Sequence, residues 1–309
     1  DLLSSDHSGL SQNVGKSVLK GKSLLSLLLS FIVLSTGVFG SFGPSKAYAD
    51  GYVGKPVIVA VEAGATHYLA LDDAGVLYGW GRNNYGSVGD GTTTPVPFPK
   101  EVLSGVSKIF TTANNNFALK TDGTLWAWGR NQYGELGLGS TGVISTPTQV
   151  TAITDVVEVA TSEYTTFFLK GDGTVWGVGY NMSGQLGNGT KVHPQLTPIR
   201  SGTSLTGVTK ISNSGIHALA LKSDGTVYAW GSNSDGELGY GNTTDYYTPV
   251  KVSGTRTYQD VLATRFNSYF LTTEGKLFGA GMSEYTGSTT VGGVVTVPTA
   301  MFASTTISK

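Results

Sequence analysis

"WGRNQYGELGLGS", residues 128–140, decides how this chain is read. Gly129, Gly134, Gly137 and Gly139 fall within it behind Trp128. Glycine at that density disfavours helix and strand interiors alike, because it loses the most backbone freedom on ordering. The stretch is therefore a loop with demanding geometry. Close copies stand at 80–92 ("WGRNNYGSVGDGT"), 178–190 ("VGYNMSGQLGNGT") and 230–242 ("WGSNSDGELGYGN"). A fifth, "AGMSEYTGS" at 280–288, is degenerate. The phrase heads are 48, 50, 52 and 50 residues apart, and a near-constant period of that size marks a repeat architecture.

Each unit reads the same way. A short apolar strand ("VSKIFTTA", 106–113) precedes a second ("NFALKTDG", 116–123) and a third ("TLWAWG", 124–129). A proline-marked fourth segment ("TPTQV", 146–150) follows the glycine-rich phrase. Asp-Gly at 122–123, 172–173 and 224–225 predicts tight hairpins in which both central residues take positive φ. The third strand carries an aliphatic (Leu77, Leu125, Val175, Val227, Leu277), an aromatic (Tyr78, Trp126, Trp176, Tyr228, Phe278), a small residue, and then Trp80, Trp128, Val178, Trp230 or Ala280. Successive side chains of a strand point to opposite faces. Both faces are apolar here, so each sheet is expected to lie between two others. Small four-stranded sheets packed that way are the blades of an all-β propeller. Repeats are expected at about 57–105, 106–155, 156–207, 208–260 and 261–309 of a domain spanning 50–309.

"DGTLWAWGRNQYGELGLG" and "DGTVYAWGSNSDGELGYG" resemble the repeat of the RCC1 (regulator of chromosome condensation) family. The resemblance covers all five units, although the third lacks the Trp and the fifth most of the phrase. It implies an RCC1-like β-propeller, in a family whose rings usually have more blades. Five repeats then form either a closed five-bladed ring or a partial arc of a seven-bladed one, with any further blades expected after residue 309.

The first 49 residues read as an address. Lys16, Lys20 and Lys22 precede "LLSLLLSFIVLSTGVFGSFG", and "AYA" ends at Ala49. That order describes a secretory signal peptide cut between Ala49 and Asp50, or alternatively a retained membrane anchor. "GLSQNVGKS" at 9–17 has one residue too many between its glycines for a phosphate loop. From Asp50 onward, 16 Lys+Arg face 19 Asp+Glu, a net of −3, so nucleic acid is not the expected partner. The chain has no cysteine, which removes disulfides and thiolate metal sites. No metal and no cofactor are expected.

Candidate site residues come from the repeated phrase. Asn83, Asn131, Asn181 and Asn233 are expected to bond the backbone of their own turns. His67 and His217 share a column with Asn115, Thr165 and Asn267, which reads as a hydrogen-bonding post. Glu135 and Glu237 share another column with Ser87 and Gln185; a hydrolytic pair is disfavoured because they lie two units apart. The positions that vary between copies are expected on one face of the propeller. They are Arg82, Asn84, Tyr85, Arg130, Gln132, Tyr133, Tyr180, Met182, Asp235, Tyr240, Tyr246 and Tyr247, with Glu135 and Glu237 beside them. Tyr and Arg are the residues that dominate recognition surfaces. The expectation is a secreted or cell-surface, non-enzymatic module that grips a protein or a surface polymer through that face. The resemblance supplies a precedent, secreted bacterial members that bind proteins, and an alternative, guanine-nucleotide exchange. A polysaccharide-active propeller enzyme is the third reading.

Overall fold

The computed structural model describes residues 56–287 and 292–301. The expected leader, its anchor alternative and the Ala49–Asp50 junction lie outside the described residues. The described strands form five four-stranded antiparallel sheets, each ordered first to fourth along the chain. The second sheet shows the pattern: Val106–Thr111, Asn115–Lys120, Leu125–Gly129 and Ile144–Gln149. The others occupy 58–103, 156–200, 208–251 and 258–300. We call them blades 1 to 5. First strands of successive blades pack against each other and form the inner edge. Fourth strands form the outer edge, where Pro99, Pro147, Pro198, Pro249 and Pro298 remove donors that would invite another strand.

The Asp-Gly hairpins differ from expectation. Gly123 takes φ +82°, but Asp122 does not join it at positive φ. Asp122 instead accepts the Thr124 N–H (2.9 Å) and hydroxyl (2.6 Å), while the Gly123 N–H donates to the Lys120 carbonyl (3.0 Å). A turn closed by one left-handed glycine suits a three-residue hairpin loop. The carboxylate of Asp thus serves as a cap and not as a left-handed residue.

The glycine-rich phrase is organised by its asparagine. Asn131 is fully buried. Its Oδ1 accepts the Leu136 N–H (3.0 Å) and its Nδ2 donates to the Ser140 carbonyl (2.8 Å). Asn83, Asn181 and Asn233 repeat both contacts, with Val88, Leu186 and Leu238 as donors and Thr92, Thr190 and Asn242 as acceptors. Each asparagine thereby drives the apolar residue five positions later into the core, where Val88, Leu136, Leu186 and Leu238 are all fully buried. Gly129 opens the loop at φ +109°, and a Cβ there would fall on the Asn114 carbonyl oxygen.

Apolar burial lies between blades. Trp128, Ala118 and Ile109 of blade 2 close on Leu69, Leu71 and Leu77 of blade 1. On its other face, Phe117, Leu125 and Leu136 meet Val159 and Phe168 of blade 3. Equivalent clusters join blades 3 and 4, and 4 and 5. The indole of Trp128 donates to the Ser87 carbonyl (3.0 Å), and that of Trp230 to the Gln185 carbonyl (2.9 Å), each in the preceding blade. Among the described residues no buried cluster joins blade 5 to blade 1. Val59, Val61 and Tyr68, on blade 1, are exposed.

Polar posts reinforce the boundaries. His67 reaches Asn116 (2.7 Å) and His217 reaches Ser268 (2.9 Å), each in the next blade. Asn115 and Thr165 reach the next blade's turn at Ser162 and Gly215; Asn267 bonds the Met282 carbonyl within its own blade. Lys108, Glu158, Lys210 and Asp260 hold one register position on successive inner strands, alternating in sign, and Lys210 pairs with Asp260. In blade 5 a 3-10 turn, Ser283–Tyr285, replaces the phrase.

Asn131→Asp keeps the acceptor and loses the buried donor, setting an oxygen against the Ser140 carbonyl. It is expected to cost about 2 kcal/mol or more in denaturant unfolding. Burial pushes the His217 pKa down to about 3, so its stabilisation is lost as pH falls from about 6.5 towards that value. His217→Asn, which places at this position the residue found at 115 and 267, is expected to shift the acid-unfolding midpoint to lower pH. An unchanged midpoint would remove His217 as the acid-sensitive group.

Candidate functional site: an arginine–tyrosine cluster on the loop face

Each of blades 1 to 4 makes its first turn and its glycine-rich loop at the same end, tied by backbone bonds such as Arg130 N–H to the Asn114 carbonyl (3.0 Å). The Asp-Gly turns lie at the other end. The loop face is therefore built from two segments per blade. The asparagine pins hold these loops, so their outward residues stand on rigid backbone.

On this face blades 2 and 3 assemble one cluster. Tyr133 packs against Tyr164 (5.4 Å between ring centroids), Tyr180 (5.2 Å) and His193 (5.3 Å). Tyr180 meets His193 edge-on at 4.5 Å. Edge-to-face aromatic pairs at such distances contribute beyond their buried area. The Arg130 guanidinium lies 4.5 Å over Tyr164 and 5.7 Å over Tyr85, and donates to Glu163 (2.5 Å) and Gln132 (2.5 Å). Its side chain is only 12% exposed, whereas Glu163 is 48% exposed, so the pair is closed from the Arg side and open from the Glu side. His193 Nδ1 accepts the Asn181 N–H (3.4 Å), the role Asp245 plays for Asn233 in blade 4 (2.9 Å). Burial holds His193 below the ordinary histidine range. The cluster is consequently neutral apart from one internal ion pair. It presents tyrosine hydroxyls and edges, with exposed Tyr85 and Gln132 at its rim.

The structure thus brings together Tyr85, Arg130, Gln132, Tyr133 and Tyr180, with Met182 adjacent in sequence on the Tyr180 loop. Arg82 and Asn84 stand exposed beside Tyr85 at a cleft that Tyr85 also lines. Sequence reasoning missed Glu163, Tyr164 and His193. Glu163 and Tyr164 sit in a first turn rather than in the repeated phrase. The available signal was that "SEY" in blade 3 replaces small or amide residues at that turn in blades 1 and 2.

Other candidates are placed elsewhere. Glu135 and Glu237 are fully buried, a correction to their expected position on the face. Glu135 Oε2 accepts the Tyr133 N–H (2.6 Å) and Glu237 Oε2 the Asp235 N–H (2.8 Å), so each closes its own loop. Tyr240 is also turned inward, its hydroxyl donating to backbone carbonyls of Ala229 and Val250 (2.6 Å to Val250). Tyr246 packs edge-on against it at 4.8 Å. These tyrosines brace blade 4. Tyr247 lies against Gly184 at the boundary of blades 3 and 4, with Lys191 4.3 Å over its ring. Asp235 is half-buried in the blade 4 loop.

A tandem array of four-stranded antiparallel blades defines a propeller-type repeat fold. The chain matches the regulator of chromosome condensation (RCC1) repeat at 74–118, 122–169, 172–221 and 224–263. It belongs to the RCC1-repeat family. Human E3 ubiquitin-protein ligase HERC2 is 36% identical over 77 residues, which are 24% of this chain and 2% of that protein. The ultraviolet-B receptor UVR8 of Arabidopsis thaliana is 44% identical over 45 residues, 15% of this chain and 10% of the receptor. The chain therefore matches only a small part of these curated relatives. Among solved structures, human WBSCR16 superposes with a TM-score of 0.67 at 20% identity, covering 79% of this chain and 67% of that one. Prp20p of Saccharomyces cerevisiae gives 0.66 at 23% identity, covering 80% and 66%. At these identities the likeness is one of fold.

Burial pushes the Glu135 and Glu237 carboxyls above the usual carboxylate range, and the Oε1 of each is buried without a hydrogen-bond partner. Gln185, in the same column, donates from Nε2 to the Gly215 carbonyl of the next blade (3.4 Å). A raised carboxyl favours the folded state only at low pH, and that contribution is lost as pH rises above about 4.5. Glu135→Gln is therefore expected to raise the melting temperature by about 2–8 °C at pH 7.5. The gain should shrink towards zero below pH 4.5. A variant less stable than the parent at pH 7.5 would show that Oε1 has no acceptor within reach.

Proposed function

We propose that the chain is a secreted, non-enzymatic binding module that recognises a partner protein through the arginine–tyrosine cluster of blades 2 and 3. The observation that carries this reading is Tyr133, surrounded by Tyr164, Tyr180 and His193 and flanked by an Arg130 that is already paired. Rigid aromatic rings with polar edges lose little side-chain freedom on binding, which favours recognition of a polypeptide surface. Protein ligands are in keeping with the solved relatives. Prp20p is described by its binding to Gsp1p and histones, and yeast RCC1 (Prp20) was crystallised with Kap60. The secreted location rests on the basic, apolar and small-residue order of the first 49 residues. Two observations weigh against the enzymatic reading: Glu135 and Glu237 are buried, and each caps a separate loop.

The test has two parts. The chain, expressed in full, is expected in the culture medium and not in the cell pellet. Used as bait on surface extracts, it should retain a protein band that survives glycosidase treatment of the extract. Tyr133→Ala/Tyr180→Ala should lose that band about tenfold or more while keeping the parent melting temperature within a few degrees. Equal recovery by parent and variant refutes the cluster as the site; loss of the band on glycosidase treatment assigns the face to a surface polymer.

A further inference from the structure

Arg82 and Arg130 are the same position in successive blades. Each stands two residues after its heading Trp. The backbone N–H of each donates to the last residue of its own blade's first turn, Thr66 for Arg82 (2.8 Å) and Asn114 for Arg130 (3.0 Å). Their surroundings differ at the next blade's first turn. Arg130 meets the first turn of the next blade at Glu163 and Tyr164, where a carboxylate and a ring receive the guanidinium. Arg82 faces the next blade's turn at the equivalent residues, Ala113 and Asn114. No carboxylate is supplied there. The Arg82 side chain is exposed, and among the described residues it has no hydrogen bond or ion pair.

A cleft of about 230 Å³ occupies the space beside it, lined by Thr66, Arg82, Asn84, Tyr85 and Asn114 among others. None of its lining residues is acidic. It offers a guanidinium, two side-chain amides and hydroxyl groups around one opening. Tyr85 also lines it, and its ring receives Arg130. The cleft is thus continuous with the tyrosine cluster through a shared aromatic residue. Arg–carboxylate recognition is charge-assisted and geometrically specific.

We infer that the Arg82 cleft receives the carboxylate of an acidic side chain on the partner protein, in the place that Glu163 fills for Arg130 within the chain. The inference rests on the protein-binding reading, and it identifies the chemistry of the partner. The intramolecular model for such a partner is Glu163–Tyr164, an acidic residue followed by an aromatic one. The carboxylate would meet Arg82, and the ring would lie near Asn114, the residue equivalent to Tyr164.

The test uses the full chain and two blocked dipeptides, Ac-Glu-Tyr-NH2 and Ac-Gln-Tyr-NH2, with inorganic phosphate as a third probe. The Arg82 Nε–H resonance is followed by NMR. The Glu dipeptide is expected to shift it saturably, with the Gln dipeptide about tenfold weaker. Ala113→Glu should supply the missing carboxylate from within and abolish the shift. Arg82→Gln, a substitution at an exposed position, should abolish binding as read at the Asn84 side-chain amide. Equal binding of both dipeptides, undiminished binding to Ala113→Glu, or phosphate binding as tight as the Glu dipeptide overturns the inference.

The two readings fail separately. A partner captured through Tyr133 and Tyr180 that binds Arg82→Gln as tightly as the parent removes the carboxylate cleft and leaves the protein-binding reading intact. Saturable, Arg82-dependent binding of the Glu dipeptide with no captured partner supports the cleft and removes the tyrosine cluster.

Discussion

One buried amide per loop governs this structure. Asn83, Asn131, Asn181 and Asn233 each accept one backbone N–H and donate to a backbone carbonyl nine residues on. A loop with four glycines has many conformations, and ordering it costs entropy that grows with every one. The asparagine offsets part of that cost with hydrogen bonds buried from water, and in doing so inserts Val88, Leu136, Leu186 or Leu238 between blades. Polar satisfaction and apolar packing therefore depend on the same side chain. Neither a Ser, too short to span both groups, nor an Asp, without a donor, serves both ends.

The family's sequence repeat begins at one Asp-Gly turn and ends in the second strand of the next blade, as at 122–169. It therefore straddles the boundary between blades. The physical unit that recurs is an interface: an outgoing face with its loop glycine and carbonyl, and an incoming face with its Trp. Trp128 and Trp230 bond carbonyls of the preceding blade. Where blade 3 has Val178, the rings of Phe117 and Phe168 meet across the boundary instead (5.7 Å). The loss of one ring is thus made up by another from a different strand, which is how a degenerate copy stays in the stack.

Because the interior contacts repeat, the outward residues are free to differ. Blade 1 carries Arg82 with no carboxylate opposite among the described residues; blade 2 carries Arg130 with Glu163 opposite; blade 3 carries Tyr180 at the same position. The same backbone thus displays an open charge, a paired charge and an aromatic side by side. Recognition on such a scaffold arises from which neighbours the stack juxtaposes, two segments at a time.

The period near fifty, the doubly apolar third strand and the proline-marked fourth strand were legible because they are local: each follows from residue spacing within one unit. The role of Asn131 and its equivalents was legible for the same reason, since an asparagine in a glycine-rich turn has few partners but the turn itself. The hairpin type was misjudged, since Asp122 had a capping option through Thr124 that outcompetes a left-handed backbone. Glu135 and Tyr240 looked like surface residues by composition, yet both are turned inward by hydrogen bonds to backbone groups. The sequence by itself determined the blade, its order of strands and its loop. Only the tertiary structure decided that Arg130 meets Glu163, that Tyr133 meets Tyr180 and His193, and that Arg82 has no ion pair among the described residues. Those neighbours lie 33 to 60 residues apart and come together through the stacking of separate sheets, a distance over which no periodicity in the chain carries information.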